Sequence, residues 1–128
     1  MPASLGRILV VDDEPQVGAM LRDLLVELGY VVKNAVSGVE ALGLVPIYLP
    51  DAVLLDLSMP GMTGVEVLDH LRRLNPDLPV IIVTGNQDLQ TARATLVRGA
   101  FDYIQKPFTV EVLERVVAAA VLRRGLPS

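Results

Sequence analysis

Ile8-Leu9-Val10-Val11-Asp12-Asp13-Glu14-Pro15 is an apolar run that stops abruptly on three acids. Four consecutive aliphatic residues fit a strand covered on both faces, the condition of a parallel strand lying between two helix layers. Two adjacent aspartates where that strand leaves the core are costly, because like charges withdrawn from water need something to offset them. The rest of the chain has to supply it.

Working outward, Pro15 suits the first turn of a helix, and Val17, Met20, Leu21, Leu24, Leu25 and Leu28 recur at the spacing of an amphipathic stripe. Gly29 ends it. A short strand follows over 30–35, and Ser37-Gly38 opens a second helix to about Val45. Ala52-Val53-Leu54-Leu55-Asp56 is another apolar strand ending on an acid. Gly61 and Gly64 lead into a helix carrying Val67, Leu68, Leu71 and Leu74, closed by Asn75-Pro76. Val80-Ile81-Ile82-Val83-Thr84 is a fourth buried strand. Asp88 is placed to cap a helix running to Arg98, residues 102–105 form a brief fifth strand, and Thr109 caps a last helix with Leu113, Val116, Val117, Ala120 and Val121 inward. Five strands alternating with five helices predict an α/β fold, a parallel sheet with helices on both faces.

Composition is consistent with one domain of ordinary size, over 1–128 with a core of about 6–124. Hydrophobic residues make up 52% of the chain, but only three Tyr and two Phe are aromatic, so the core must be aliphatic. No run approaches a membrane span, and the start of the chain lacks a signal-peptide pattern. The absence of cysteine excludes disulfides, thiolate metal sites and thiol nucleophiles. A net charge of −4 argues against nucleic-acid binding by this segment. The expectation is a cytoplasmic protein without membrane attachment.

In doubly wound folds the site lies beyond the carboxyl ends of the strands. Those ends carry Asp12 and Asp13, Asp56, Thr84 and, after the fifth strand, Lys106. Each alone would be an ordinary turn, cap or surface residue; together they make a site. Clustered carboxylates recruit a cation or shift a pKa, and a hard ion held by a few carboxylates with water positions open resembles Mg²⁺. Thr84 and Lys106 are donors, so the arrangement suits a phosphoryl group, with Asp56 as nucleophile forming an aspartyl-phosphate.

VVDDEP (10–15), LLDLSMPGMTG (54–64), IIVTG (81–85) and GAFDYIQKPF (99–108), in this order and at these separations, resemble the response-regulator receiver domain of two-component signalling. The resemblance implies a flavodoxin-like, five-stranded sheet of order 2-1-3-4-5. It implies that Asp56 accepts a phosphoryl group from a sensor histidine kinase or histidine phosphotransfer protein. Asp13 and Asp56 would ligate Mg²⁺ directly, Asp12 mainly through water, and the Ser58 carbonyl would add a ligand. Lys106 would contact the phosphoryl group and precede a cis bond to Pro107. Thr84 and Tyr103 would be the switch pair, relaying the change to the face of the last two helices and last strand, where a homodimer is an expectation. Ser58 and Asn86 stand where the family tunes phosphoryl lifetime. The chain would then be a signalling domain, with self-phosphotransfer and self-dephosphorylation as its only chemistry. GAFDYIQKPF resembles receivers of transcriptional regulators and hybrid kinases, and the sequence leaves the output open: stand-alone, phosphorelay, or a further domain.

The switch also has a physical rationale. A phosphoryl dianion beside Thr84 draws its hydroxyl inward and vacates space for Tyr103. The intervening helix, with only Leu89, Ala92 and Leu96 on its apolar face, is lightly held. Two alternatives share the architecture. A flavodoxin-like ligand-binding module should carry a Ser/Thr/Gly-rich phosphate loop where Asp12-Asp13-Glu14 stand. A small aspartate-based phosphatase should carry a cap domain. Pro46 is expected to kink or end the second helix, with Ile47, Tyr48 and Leu49 tucked against the body. His70 and the arginines Arg93, Arg98, Arg115, Arg123 and Arg124 read as solvated surface, and Glu14 as a helix-start acid.

Overall fold

Parallel pairing on both sides makes the strand of residues 7–11 an inner member of the sheet. The computed structural model describes residues 4–59, 61–85 and 89–124. In chain order its elements are β1 (Arg7–Val11), α1 (Pro15–Glu27), β2 (Val31–Ala35), α2 (Gly38–Tyr48), β3 (Ala52–Asp56), α3 (Gly64–Leu74), β4 (Val80–Thr84), α4 (Leu89–Val97), β5 (Asp102–Gln105) and α5 (Val110–Arg124). The strands lie in the order β2-β1-β3-β4-β5, all parallel. This is the doubly wound arrangement expected, with its reversal of strand order between β1 and β3.

Alternation along the inner strands sorts the core onto two faces. Leu9, Val11, Val53, Leu55, Val80 and Ile82 pack with Val67, Leu68 and Leu71 of α3 and Ala41 and Val45 of α2. Ile8, Val10, Leu54, Ile81 and Val83 pack with Leu21 and Leu25 of α1 and Leu113, Val116 and Val117 of α5. A strand buried on both sides needs no polar alternation, which is why β1, β3 and β4 read as continuous aliphatic runs.

The helices depart from their expected stripes in places. Met20 and Leu74 are exposed, at the margins of their apolar faces. In α4 the buried residues are Ala92 and Thr95, while Leu96 faces out. Tyr30 belongs to the turn before β2: its N–H reaches Leu25 O at 3.0 Å. Asp88, proposed as a cap, lies outside the described residues.

The largest correction concerns residues 46–49. Pro46 sits inside α2, which continues to Tyr48 and ends at Leu49 in the left-handed conformation, φ 56°. Tertiary contacts carry the helix through the proline: the Tyr48 hydroxyl donates to Val31 O at 3.1 Å, and Arg7 Nη1 donates to Tyr48 O at 3.2 Å. Only Tyr48 is tucked in; Ile47 and Leu49 are exposed, at 79% and 63%. Among the described residues no helix is long and apolar enough to cross a membrane.

Candidate functional site

Register builds the site. Val11 is level with Leu55, so the next residues, Asp12 and Asp56, leave neighbouring strands side by side. Asp56 is level with Val83 and Thr84 with Gln105, which brings Thr84 and then Lys106 to the same edge. The ladder extends past the strands: Asp12 N–H donates to Ala35 O at 3.0 Å and Lys106 N–H to Thr84 O at 2.7 Å.

Asp12, Asp13 and Asp56 each offer a carboxylate oxygen, and these oxygens lie within 4.8 Å of one another. Asp12 and Asp56 are buried, Asp13 half-buried. Lys106 Nζ stands 4.0 Å from Asp56 Oδ1, a long ion pair that neutralises the cluster only in part. Local amides help: Glu14 N–H donates to Asp12 Oδ1 at 2.9 Å, and Ser58 N–H to Asp56 Oδ1 at 3.2 Å. Burial, opposed by the Glu14 amide but reinforced by the charge on Asp56, pushes the Asp12 carboxyl above its usual range. Asp13 Oδ1 is buried without a hydrogen-bond partner among the described residues. An orphaned carboxylate oxygen beside two further carboxylates fits a hard divalent cation. Part of the offset that the apolar run ending in Asp12-Asp13 demanded is therefore Lys106, and the three carboxylates form a cluster that could hold a cation.

Thr84 is buried at the end of β4, its hydroxyl donating to Gly85 O at 3.3 Å. Tyr103, level with Ile82 on β5, is half-buried and packs on the α2–α3–α4 face of the core. The peptide bond between Lys106 and Pro107 is cis. Ser58 is exposed at the start of the β3–α3 loop, and Asn86 lies outside the described residues. Glu14 occupies the cap position of α1 without a side-chain capping bond.

The loop after Asp56 holds packing and capping residues, of which the sequence reading passed over Leu57, Met62, Thr63 and Glu66. Leu57 and Met59 are buried in the core, and Met62 packs against it. Thr63 and Glu66 form a capping box, Thr63 Oγ1 accepting from Glu66 N–H at 3.2 Å and Glu66 Oε1 from Thr63 N–H at 3.1 Å. Its signal, Thr-x-x-Glu before an apolar run, stands in the sequence.

The residues set aside stay outside the site. His70 Nδ1 lies 2.9 Å from Arg73 Nη2 on the α3 surface. Arg98 pairs with Asp69, and Arg123 covers the Phe101 ring at 5.5 Å. A cavity of about 620 Å³ opens at the opposite edge of the sheet, lined by Arg72, Phe101, Arg123 and Arg124 among others. Its arginines end α3 and α5, where cations complement the carbonyl ends of helices.

Comparison with known proteins agrees with this geometry. A family model described as response regulator receiver domain matches residues 8–118. Response regulator MprA of Mycobacterium sp. (strain KMS) is 45% identical over 122 residues, covering 94% of this chain and 52% of that protein. Nitrogen assimilation regulatory protein NtrX of Azorhizobium caulinodans is 34% identical over 123 residues, covering 91% of this chain and 27% of that protein. A response regulator receiver domain protein from Clostridium thermocellum superposes with a TM-score of 0.89 at 33% identity, covering 92% of this chain and 95% of that one. The receiver domain of NtrX from Brucella abortus gives 0.87 at 32% identity, with 90% and 98% covered. The chain belongs to the response regulator receiver domain family, a family of signalling domains. It spans about half the length of the MprA proteins it matches.

Proposed function

We propose that this domain is a phosphorylation-activated cytoplasmic switch in which Asp56 accepts a phosphoryl group from the phosphohistidine of a sensor kinase or phosphotransfer protein. The observation that carries the reading is the placement of Asp56 between the Asp12–Asp13 pair and Lys106 Nζ, 4.0 Å away. An oxygen of the Asp56 carboxylate attacks phosphorus. The new P–O bond forms as the P–N bond breaks, and the electron pair leaves with the imidazole nitrogen. Lys106 and the Thr84 hydroxyl face the oxygens on which charge gathers.

Asp12, Asp13, Asp56 and the Ser58 carbonyl would hold Mg²⁺. When bound, the ion neutralises charge shared between the carboxylates and the phosphoryl oxygens. Thr84 moves toward the new dianion and Tyr103 turns into the space released, carrying the signal to α4, β5 and α5. Val97 of α4 and Leu122 of α5 are exposed apolar residues on the last two helices, and they support a second copy of the domain as one partner there. Ser58 and Asn86 set how readily water reaches the phosphoryl group, so the domain's own chemistry is limited to accepting the group and losing it.

The test is incubation with acetyl phosphate and Mg²⁺ followed by intact mass. The wild type should gain one phosphoryl mass and Asp56→Asn none. A gain that survives the substitution would overturn the assignment. Size-exclusion chromatography with and without a phosphoryl mimic tests the dimer.

A further inference from the structure

Helix α3 is seated directly on the backbone that carries Asp56. Its first residue, Gly64, is buried, and a methyl group there would lie 2.6 Å from Leu57 Cα, 2.9 Å from the Asp56 carbonyl oxygen and 2.9 Å from Leu57 Cδ2. Two of these three neighbours are main chain, and such distances cannot be accommodated without displacement. The helix cannot be the part that yields, because Val67, Leu68 and Leu71 are fully buried and the capping box fixes its start. The backbone of residues 56–58 would have to move, and it bears the phosphoacceptor and the Ser58 carbonyl.

We propose that Gly64 is a positioning residue for this site, its missing side chain letting α3 press on the β3–α3 turn and hold Asp56 and the Ser58 carbonyl at the distance the cation and phosphoryl group require. This rests on the phosphoacceptor reading above. Gly38 provides an internal contrast. It too is a buried first residue of a helix, and a methyl group there would meet Val67 Cγ2 at 2.4 Å and Met62 Sδ at 3.2 Å, with only side chains as neighbours. Crowding at Gly38 loosens packing between α2 and α3; crowding at Gly64 shifts the main chain of the site.

The experiment compares the full chain as wild type, Gly64→Ala and Gly38→Ala, each at a urea-free condition where its unfolding curve shows it folded. Sucrose, which favours compact states, is added equally to all three if either variant needs it. Metal-free amide shifts of Leu57 and Ser58, Mg²⁺ affinity, and the acetyl phosphate rate at saturating Mg²⁺ are measured. Gly64→Ala should move both amides and lower affinity and rate by about 10-fold or more, the scale of a sub-ångström misplacement. Gly38→Ala should lose stability while keeping affinity and rate within about 2-fold.

Equal losses in both variants, or wild-type shifts and affinity in a folded Gly64→Ala, would overturn the proposal. So would failure of Gly64→Ala to fold even in sucrose, which would make the glycine a folding determinant only. Recovery in Gly64→Ala/Leu57→Ala would trace the effect to the side chain and overturn it likewise. Failure of the underlying reading shows separately, as a wild type that is not phosphorylated.

Discussion

Arg98 holds Asp69 in a two-pronged grip, Nε to Oδ1 at 3.0 Å and Nη2 to Oδ2 at 2.7 Å, and so ties the end of α4 to α3. The tie matters because α4 buries little else, Ala92 and Thr95 being its buried residues. The hydrogen bonds from Arg98 hold the Asp69 carboxyl below the usual carboxylate range. A depressed folded-state pKa means that the stabilisation is fully present above the unfolded value. It is lost as pH falls through the lower folded value. Both side chains are partly exposed, at 50% and 30%, so the effect on global stability is small. Arg98→Ala should therefore lower the urea midpoint slightly at pH 7, and the two curves should converge in acid. A gap that persists unchanged in acid would mean that Arg98 acts through packing instead.

Asp12 responds in the opposite sense. Its carboxyl is pushed upward, chiefly by burial and also by the charge on Asp56, so the charged form costs stability above the unfolded pKa. That cost is relieved as pH falls through the raised folded value. Asp12→Asn should stabilise the metal-free domain by about 1 kcal/mol at neutral pH, the scale of relieving a poorly satisfied buried group. The gain over wild type should shrink as pH drops, and Mg²⁺ should stabilise the variant less than it stabilises the wild type. Urea unfolding with and without Mg²⁺ measures both. A variant less stable than wild type without metal would refute the electrostatic account.

Lys106 shares the carboxylates with the cation it would work beside. Its Nζ is 4.0 Å from Asp56 Oδ1 and the side chain is 31% exposed. Removing the ammonium in Lys106→Ala leaves the cluster more negative. Mg²⁺ should bind roughly 3- to 10-fold tighter after allowance for solvent screening. Phosphorylation by acetyl phosphate at saturating Mg²⁺ should slow by about 100-fold, as when one donor to a developing charge is lost. Titration calorimetry and a single-turnover rate separate the two effects. Movement of both in the same direction would show that Lys106 is merely structural.

Much of this was legible in the sequence because buried parallel strands declare themselves as unbroken aliphatic runs, and their last residues then name the site. The placement of Asp12, Asp56, Thr84 and Lys106 at one edge could be read that way, since register in a parallel sheet brings strand ends together without knowledge of the packing. Other features depend on contacts between elements distant in the chain. Thr95, not Leu96, is the inward residue of α4, because the helix is rotated to lay small side chains on the sheet. The close approach at Gly64 cannot be told from an ordinary helix-start glycine until α3 is seated on Leu57. Of the kink or end expected at Pro46, the end is overturned: α2 runs on to Tyr48, which is anchored to Val31 of β2 and to Arg7.

That same helix end supports a final prediction. Leu49 takes φ 56° at the end of α2, with its N–H donating to Val45 O at 3.0 Å. The left-handed conformation costs an L-residue with a side chain about 1–2 kcal/mol, and glycine escapes that cost. Leu49 is 63% exposed, so little burial is lost by removing its side chain. Glycine, however, has more freedom to lose on folding. The balance favours Leu49→Gly by about 0.5–1 kcal/mol. Asn, which tolerates the same region, should give a smaller gain. Ile47→Ser, at a position more exposed than Leu49 but helical, should change stability by less than about 0.5 kcal/mol. Urea unfolding of the three variants decides between strain and burial. If Leu49→Gly is less stable than wild type, the leucine side chain makes a contact worth more than its backbone costs.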